Sequence, residues 1–152
     1  MVLSSPLETE FQSRLGYYFD NPLLLRQALT HGSEARLPNY QRLEHLGDAV
    51  LDLAVSLWLY EGNPEYTPGQ LTTARAHYVC EKSLSQLARK WQLQYVLRCS
   101  TDADAAGVRE SNHVLSDVAE AVIGALFLDT HNVFQVQQIV IPWLKAEETV
   151  TI

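Results

Sequence analysis

Glu44, Asp48 and Asp52 recur every four residues in "QRLEHLGDAVLDLAVSLWLY", and Ser56 follows at the same interval. On an α-helix that spacing places them on one stripe. Around the stripe stand Leu43, Leu46, Ala49, Val50, Leu51, Leu53, Ala54, Val55 and Leu57, so the helix reads as largely core. A second segment, "HVLSDVAEAVIGALFL", repeats the plan. Asp117 and Glu120 lie three apart on one face, bordered by Val114, Leu115, Val118, Ala119, Val122 and Ile123. Both segments carry a glycine beside their acids: Gly47 between Glu44 and Asp48, and Gly124 one turn after Glu120. A helical glycine costs about 1 kcal/mol relative to alanine, so each marks a place where another backbone comes close.

A carboxylate stripe on an isolated helix is ordinarily its solvated face. Here the stripes are narrow, carry almost no Lys or Arg four residues away, and sit beside glycines that permit tight packing. If the two stripes face each other, Glu44, Asp48, Asp117 and Glu120 share one site. Like charges that close repel, and burying them unpaired is expensive. Protonation relieves this, and a hard divalent cation relieves it better. An all-oxygen donor set suits Mg²⁺ or Mn²⁺. The residues thus define an acidic metal site between two helices, without naming a substrate.

The elements that must position these acids are helices. Ser5-Pro6 supplies an N-cap and a proline at the first helical position, opening a helix that Gly16 ends. Asn21-Pro22 repeats the device. The first acidic helix is predicted from about residue 39 to residue 60, stopped by Gly62-Asn63-Pro64. Thr67-Pro68 opens the next, and "EKSLSQLARKWQ" is amphipathic through Leu84, Leu87, Ala88 and Trp91. Residues 99–112 read as a polar loop. The last segment, "NVFQVQQIVIPWLKAEE", is predicted to be a helix kinked or interrupted at Pro142. No alternating run adjoins a hairpin turn, so the fold class is all-α.

The chain has 152 residues, 47% of them hydrophobic, which predicts one domain with a single core. Its net charge of −7 excludes binding to nucleic acid through a general basic field. Arg75, Arg89, Lys90, Arg98 and Arg109 are the available cations, each read as solvated surface charge. Tyr17, Tyr40 and Trp143 are read as packing groups. Cys80 and Cys99 lack metal or redox spacing and read as reduced thiols of a cytoplasmic protein. The opening "MVLSSPLETEF" has no basic segment before an apolar run, so no signal peptide is expected, and no membrane span is predicted.

"QRLEHLGDAVL" resembles the signature of the ribonuclease III family. "LTHGS" (Leu29 to Ser33), "SDVAEAVIGALFLD" (Ser116 to Asp129) and "FQSRLGYYFDNPLLLRQALTH" resemble other parts of the family pattern in the right order, over nearly the whole chain. The resemblance implies an all-α endonuclease domain that works as a homodimer on double-stranded RNA with Mg²⁺, for which Mn²⁺ substitutes. It implies products with a 5′ phosphate and a 3′ hydroxyl. It assigns Glu44, Asp48, Asp117 and Glu120 to the metal, with Asp48 and Glu120 catalytic. The expected role is maturation of ribosomal or other structured RNA.

Three positions depart from the pattern. Gln41 and Pro68 stand where family members usually carry Glu lining the RNA valley, and His45 replaces an aromatic that packs into the partner subunit. Many members also continue into a double-stranded-RNA-binding domain. The expectation here is a single catalytic domain over residues 1–152 without one. The competing reading is a non-catalytic ribonuclease III-like scaffold that binds RNA, which retention of four acids opposes. A helical phosphohydrolase would need a His-Asp pair, and the sequence has no such dipeptide.

Overall fold

The computed structural model describes residues 4–145. They form α1 (Pro6–Leu15), α2 (Pro22–Ala28), α3 (Gln41–Gly62), α4 (Pro68–Val79), α5 (Glu81–Lys90), α6 (Leu93–Val96), α7 (Thr101–Ala105), α8 (Asn112–Thr130) and α9 (Val133–Lys145), with one turn of 3₁₀ helix at Val108–Glu110. Among the described residues no strand forms, and an isolated bridge joins Thr30 to Arg98. No helix among them is long and apolar enough to cross a membrane.

Helix starts follow side-chain chemistry. The Ser5 hydroxyl accepts from the Glu8 amide at 3.2 Å while Glu8 Oε1 accepts from the Ser5 amide at 2.8 Å. This reciprocal capping satisfies two N–H groups that the first turn leaves without partners. Thr67 and Gln70 do the same for α4, and Asn21 caps α2. Gly16 ends α1 in the left-handed region, φ 84°, where a side chain would be strained.

α8 is the central element. Leu115, Val118, Ala119, Ala121, Val122, Ile123, Ala125 and Leu126 are fully buried, as a helix apolar on most of its circumference must be. α3 crosses one side of it and α5 another, while α1, α2, α6 and α9 close the core around Phe11, Leu25, Trp91 and Leu93. Trp91 meets Phe11 and Trp143 edge to face, at centroid distances of 6.1 and 6.4 Å. Asp129 at the end of α8 accepts hydrogen bonds from the Tyr17 hydroxyl (2.6 Å) and the amides of Asp20 and Asn21. The loop between α1 and α2 is thereby tied to the central helix, and Tyr17, Tyr40 and Trp143 serve as packing groups. Cys80 and Cys99 are both free.

Two expectations are corrected and one is narrowed. Residues 99–112 are not a plain loop: Ser100 accepts from the Ala103 amide and starts α7, and the 3₁₀ turn follows. Of the two alternatives at Pro142, interruption is excluded, since α9 runs through it to Lys145; residues 146–148 of the predicted segment lie outside the described residues. Pro142 and Gln138 are both exposed, so water can satisfy the carbonyl that loses its partner where proline has no N–H. α3 is less enclosed than its composition implies. Leu43, Gly47, Val50, Leu51, Ala54, Val55 and Leu59 are buried, whereas His45, Asp48 and Ala49 face solvent and Leu53 is 56% exposed.

Candidate metal centre at the crossing of two helices

The acids meet because α3 and α8 touch at their glycines. A Cβ added to Gly47 would collide with the carbonyl oxygen of Glu120 and lie 2.6 Å from its carbon and 3.0 Å from the Gly124 nitrogen. A Cβ on Gly124 would collide with the Leu43 carbonyl oxygen and lie 3.1 Å from the Gly47 nitrogen. Glu44 and Asp48 follow Leu43 and Gly47 directly in sequence, Glu120 is at the contact, and Asp117 lies one turn before it. Close backbone approach thus fixes the positions from which the carboxylates reach.

Glu44, Asp117 and Glu120 are partly buried, and each offers a carboxylate oxygen within 4.8 Å of the others. Asp48 is exposed and lies outside that trio, but its carboxyl hydrogen-bonds to Glu120. Glu44 hydrogen-bonds to Asp117. Ionised carboxylates only accept, so neither pair can be bonded while both of its members are ionised. Burial, then the hydrogen bond to Asp48 and the charges of Asp48, Glu44 and Asp117, push the Glu120 carboxyl up to about 8. Glu44 is raised by burial and then by Asp117. Asp117 is raised by burial, with the charge of His113 and the hydrogen bond to Glu44 opposing. A compact, oxygen-only, charge-burdened donor set is what a hard divalent cation requires, so these residues fit such an ion.

Neighbouring groups frame the trio. Tyr40 is buried at the start of α3, stacked on His31 at 5.9 Å, and its hydroxyl is pushed up to about 12 by burial and by the charges of Asp117 and Glu44. His31 in turn binds Ser33 through Nδ1 (2.9 Å) and donates its amide to the Arg98 carbonyl. The "LTHGS" segment therefore buttresses the residue beside the acids. Further along the α3 stripe, Arg75 of α4 donates to the Ser56 hydroxyl at 3.1 Å, and its charge opposes the upward shift that burial and Asp48 impose on Asp52. Sequence reading did not single out His113 as a partner of Asp117. Nε2 of this residue lies 3.3 Å from Asp117 Oδ2, and Nδ1 lies 2.8 Å from Glu81 Oε1. The i,i+4 spacing of His113 and Asp117 carried that signal.

Comparison with known proteins gives this architecture its class. The chain superposes on the nuclease domain of ribonuclease III from Campylobacter jejuni with a TM-score of 0.87 at 33% identity, covering 93% of this chain and 98% of that one. Dicer from Pichia stipitis superposes with a TM-score of 0.60 at 26% identity, covering 89% of this chain and 61% of that one. The fold is thus that of an all-α ribonuclease III nuclease domain. The family described as Ribonuclease-III-like matches residues 21–145, and the chain belongs to the ribonuclease III family. Ribonuclease 3 of Natranaerobius thermophilus is 43% identical over 141 residues, 90% of this chain and 60% of that protein. Ribonuclease 3 of Desulforamulus reducens is 47% identical over 124 residues, 78% of this chain and 50% of that protein. The chain therefore spans between half and three fifths of the length of these relatives. Membership implies a divalent-metal cofactor, in keeping with the acidic trio.

Proposed function

We propose that this chain is the catalytic unit of a Mg²⁺-dependent endoribonuclease, active also with Mn²⁺. It cuts double-stranded or structured RNA to 5′-phosphate and 3′-hydroxyl ends during maturation of ribosomal or other RNA in the cytoplasm. The observation that carries this reading is the convergence of Glu44, Asp117 and Glu120 within 4.8 Å, on the two helices that bear the family motifs.

In this reading Glu44, Asp117 and Glu120 hold the ion, with Asp48 beside it. When bound, the ion polarises the scissile phosphate and lowers the pKa of an attacking water. Glu120 must release its proton before it can ligate, so affinity increases with pH up to about 8. Asp48, at the solvent edge, stands against Glu120, and its negative charge helps to hold the Glu120 proton until the ion displaces it. Binding of RNA phosphates by the chain's few cations is weakened by salt, and recognition of the duplex rests on A-form shape and 2′-hydroxyl contacts.

The chain acts as a homodimer in this account. Leu24, Leu43, Leu46 and Leu128 line an open groove beside His45, and Leu53 and Tyr60 are 56% and 70% exposed along the same helix. The Campylobacter jejuni nuclease domain has a flexible region involved in dimer formation.

Incubation of the purified chain with a perfect RNA duplex at low salt tests the activity. Cleavage is expected with Mg²⁺ or Mn²⁺ and not with chelator. Asp48→Asn and Glu120→Gln are expected to lower the rate at least about 100-fold. A duplex left intact across both metal titrations would instead support a non-catalytic RNA-binding scaffold.

A further inference from the structure

His113 belongs to no part of the reaction described above, yet it touches one of the proposed ligands. It is the second residue of α8, and its side chain is 74% exposed. Its ring spans two helices. Nδ1 lies 2.8 Å from Oε1 of Glu81, the first residue of α5, and Nε2 lies 3.3 Å from Oδ2 of Asp117. The same two helices are joined a second time, from the last turn of α5 to the start of α8. Arg89 Nη2 donates to Asn112 Oδ1 at 2.8 Å and to the Glu110 carbonyl at 3.1 Å. Glu81 is therefore a tether whose place relative to α8 is set independently of His113.

Asp117 has two close neighbours: Glu44, another member of the trio, and His113, whose Nε2 lies 3.3 Å from Oδ2. The imidazole is not in the oxygen trio; it touches the trio at Asp117, and its charge also reaches Glu44. Resting on the metal-site reading above, we propose that the chain Glu81–His113–Asp117 fixes the Asp117 carboxylate in the orientation that the divalent ion requires, making His113 a positioning residue. Outer groups that hold a ligating carboxylate set metal affinity by typically tenfold or more. Both ring nitrogens face carboxylate oxygens, so both donate and the ring carries a positive charge, which by itself would do the opposite and repel the ion. The sign of the effect separates the two roles.

The test is Mn²⁺ binding to the RNA-free protein, read by the electron paramagnetic resonance of free Mn²⁺. His113→Ala is expected to weaken binding about tenfold or more. His113→Gln keeps an N–H donor at similar reach and is expected to recover most of that loss. Glu81→Ala is expected to weaken binding in the same direction but by less. The metal-free melting temperatures of all three should stay near that of the parent, because the ring is exposed. Binding by His113→Ala as tight as the parent's, or tighter, would overturn the proposal. A parent that binds Mn²⁺ no better than Glu120→Gln would overturn the metal-site reading itself, and the positioning role with it.

Discussion

At Gly47 and Gly124 the backbones of α3 and α8 are in contact, with no room for a methyl group. One side chain away, Glu44, Asp117 and Glu120 hold like-charged oxygens within 4.8 Å, with Asp48 against Glu120. The first region gains close-packed contact in a dry core. The second loses solvation and gains repulsion, which raises the carboxyls of Glu44, Asp117 and Glu120. The difference explains why the site stands at the crossing: a joint too tight to yield can hold apart from water a set of charges that a looser one would let swing into solvent.

Breaking the joint should have the largest effect. In Gly47→Ala the added carbon meets the Glu120 backbone rather than a flexible side chain, so α3 and α8 must separate. The expected loss is about 3 kcal/mol or more in urea unfolding, at or above the upper end for overpacked cores. Cleavage should fall with it, because Glu120 moves. Gly62→Ala is the control: nothing lies within 4 Å of its added carbon, and the expected change is within about 0.5 kcal/mol.

Relieving the charged region should have a smaller and opposite effect. Glu120 keeps its proton in the folded protein up to about pH 8 but loses it near 4.5 when unfolded. Between those values the folded state binds more protons, so stability falls as pH rises. Metal-free parent is therefore expected to melt at lower temperature at about pH 8 than at about pH 5. Glu120→Gln should have a shallower slope and melt above the parent at the higher pH. Added Mg²⁺ should raise the parent's melting temperature there and leave that of Glu120→Gln nearly unchanged.

Most of the fold was legible because its helices announce themselves by caps and breaks. Ser5-Pro6, Asn21-Pro22, Thr67-Pro68 and Gly16 each do in the structure what their chemistry dictates. α7 was not legible, since five residues are too few to show a periodic face. Leu53 shows a second limit: an apolar residue on an apolar helix reads as core whether or not anything covers it. The acidic trio was legible because charge without counter-charge beside glycine is unusual within each helix separately. The tether through His113 was not, because Glu81 lies 32 residues away in sequence and only the packing of α5 on α8 brings it near.

The central claim is that these carboxylates exchange protons for a single hard cation. Anomalous diffraction from crystals grown with Mn²⁺ tests it most directly. The expected result is a peak touching oxygens of Glu44, Asp117 and Glu120. A peak at unrelated residues, or none while the carboxylates keep their mutual hydrogen bonds, would contradict it.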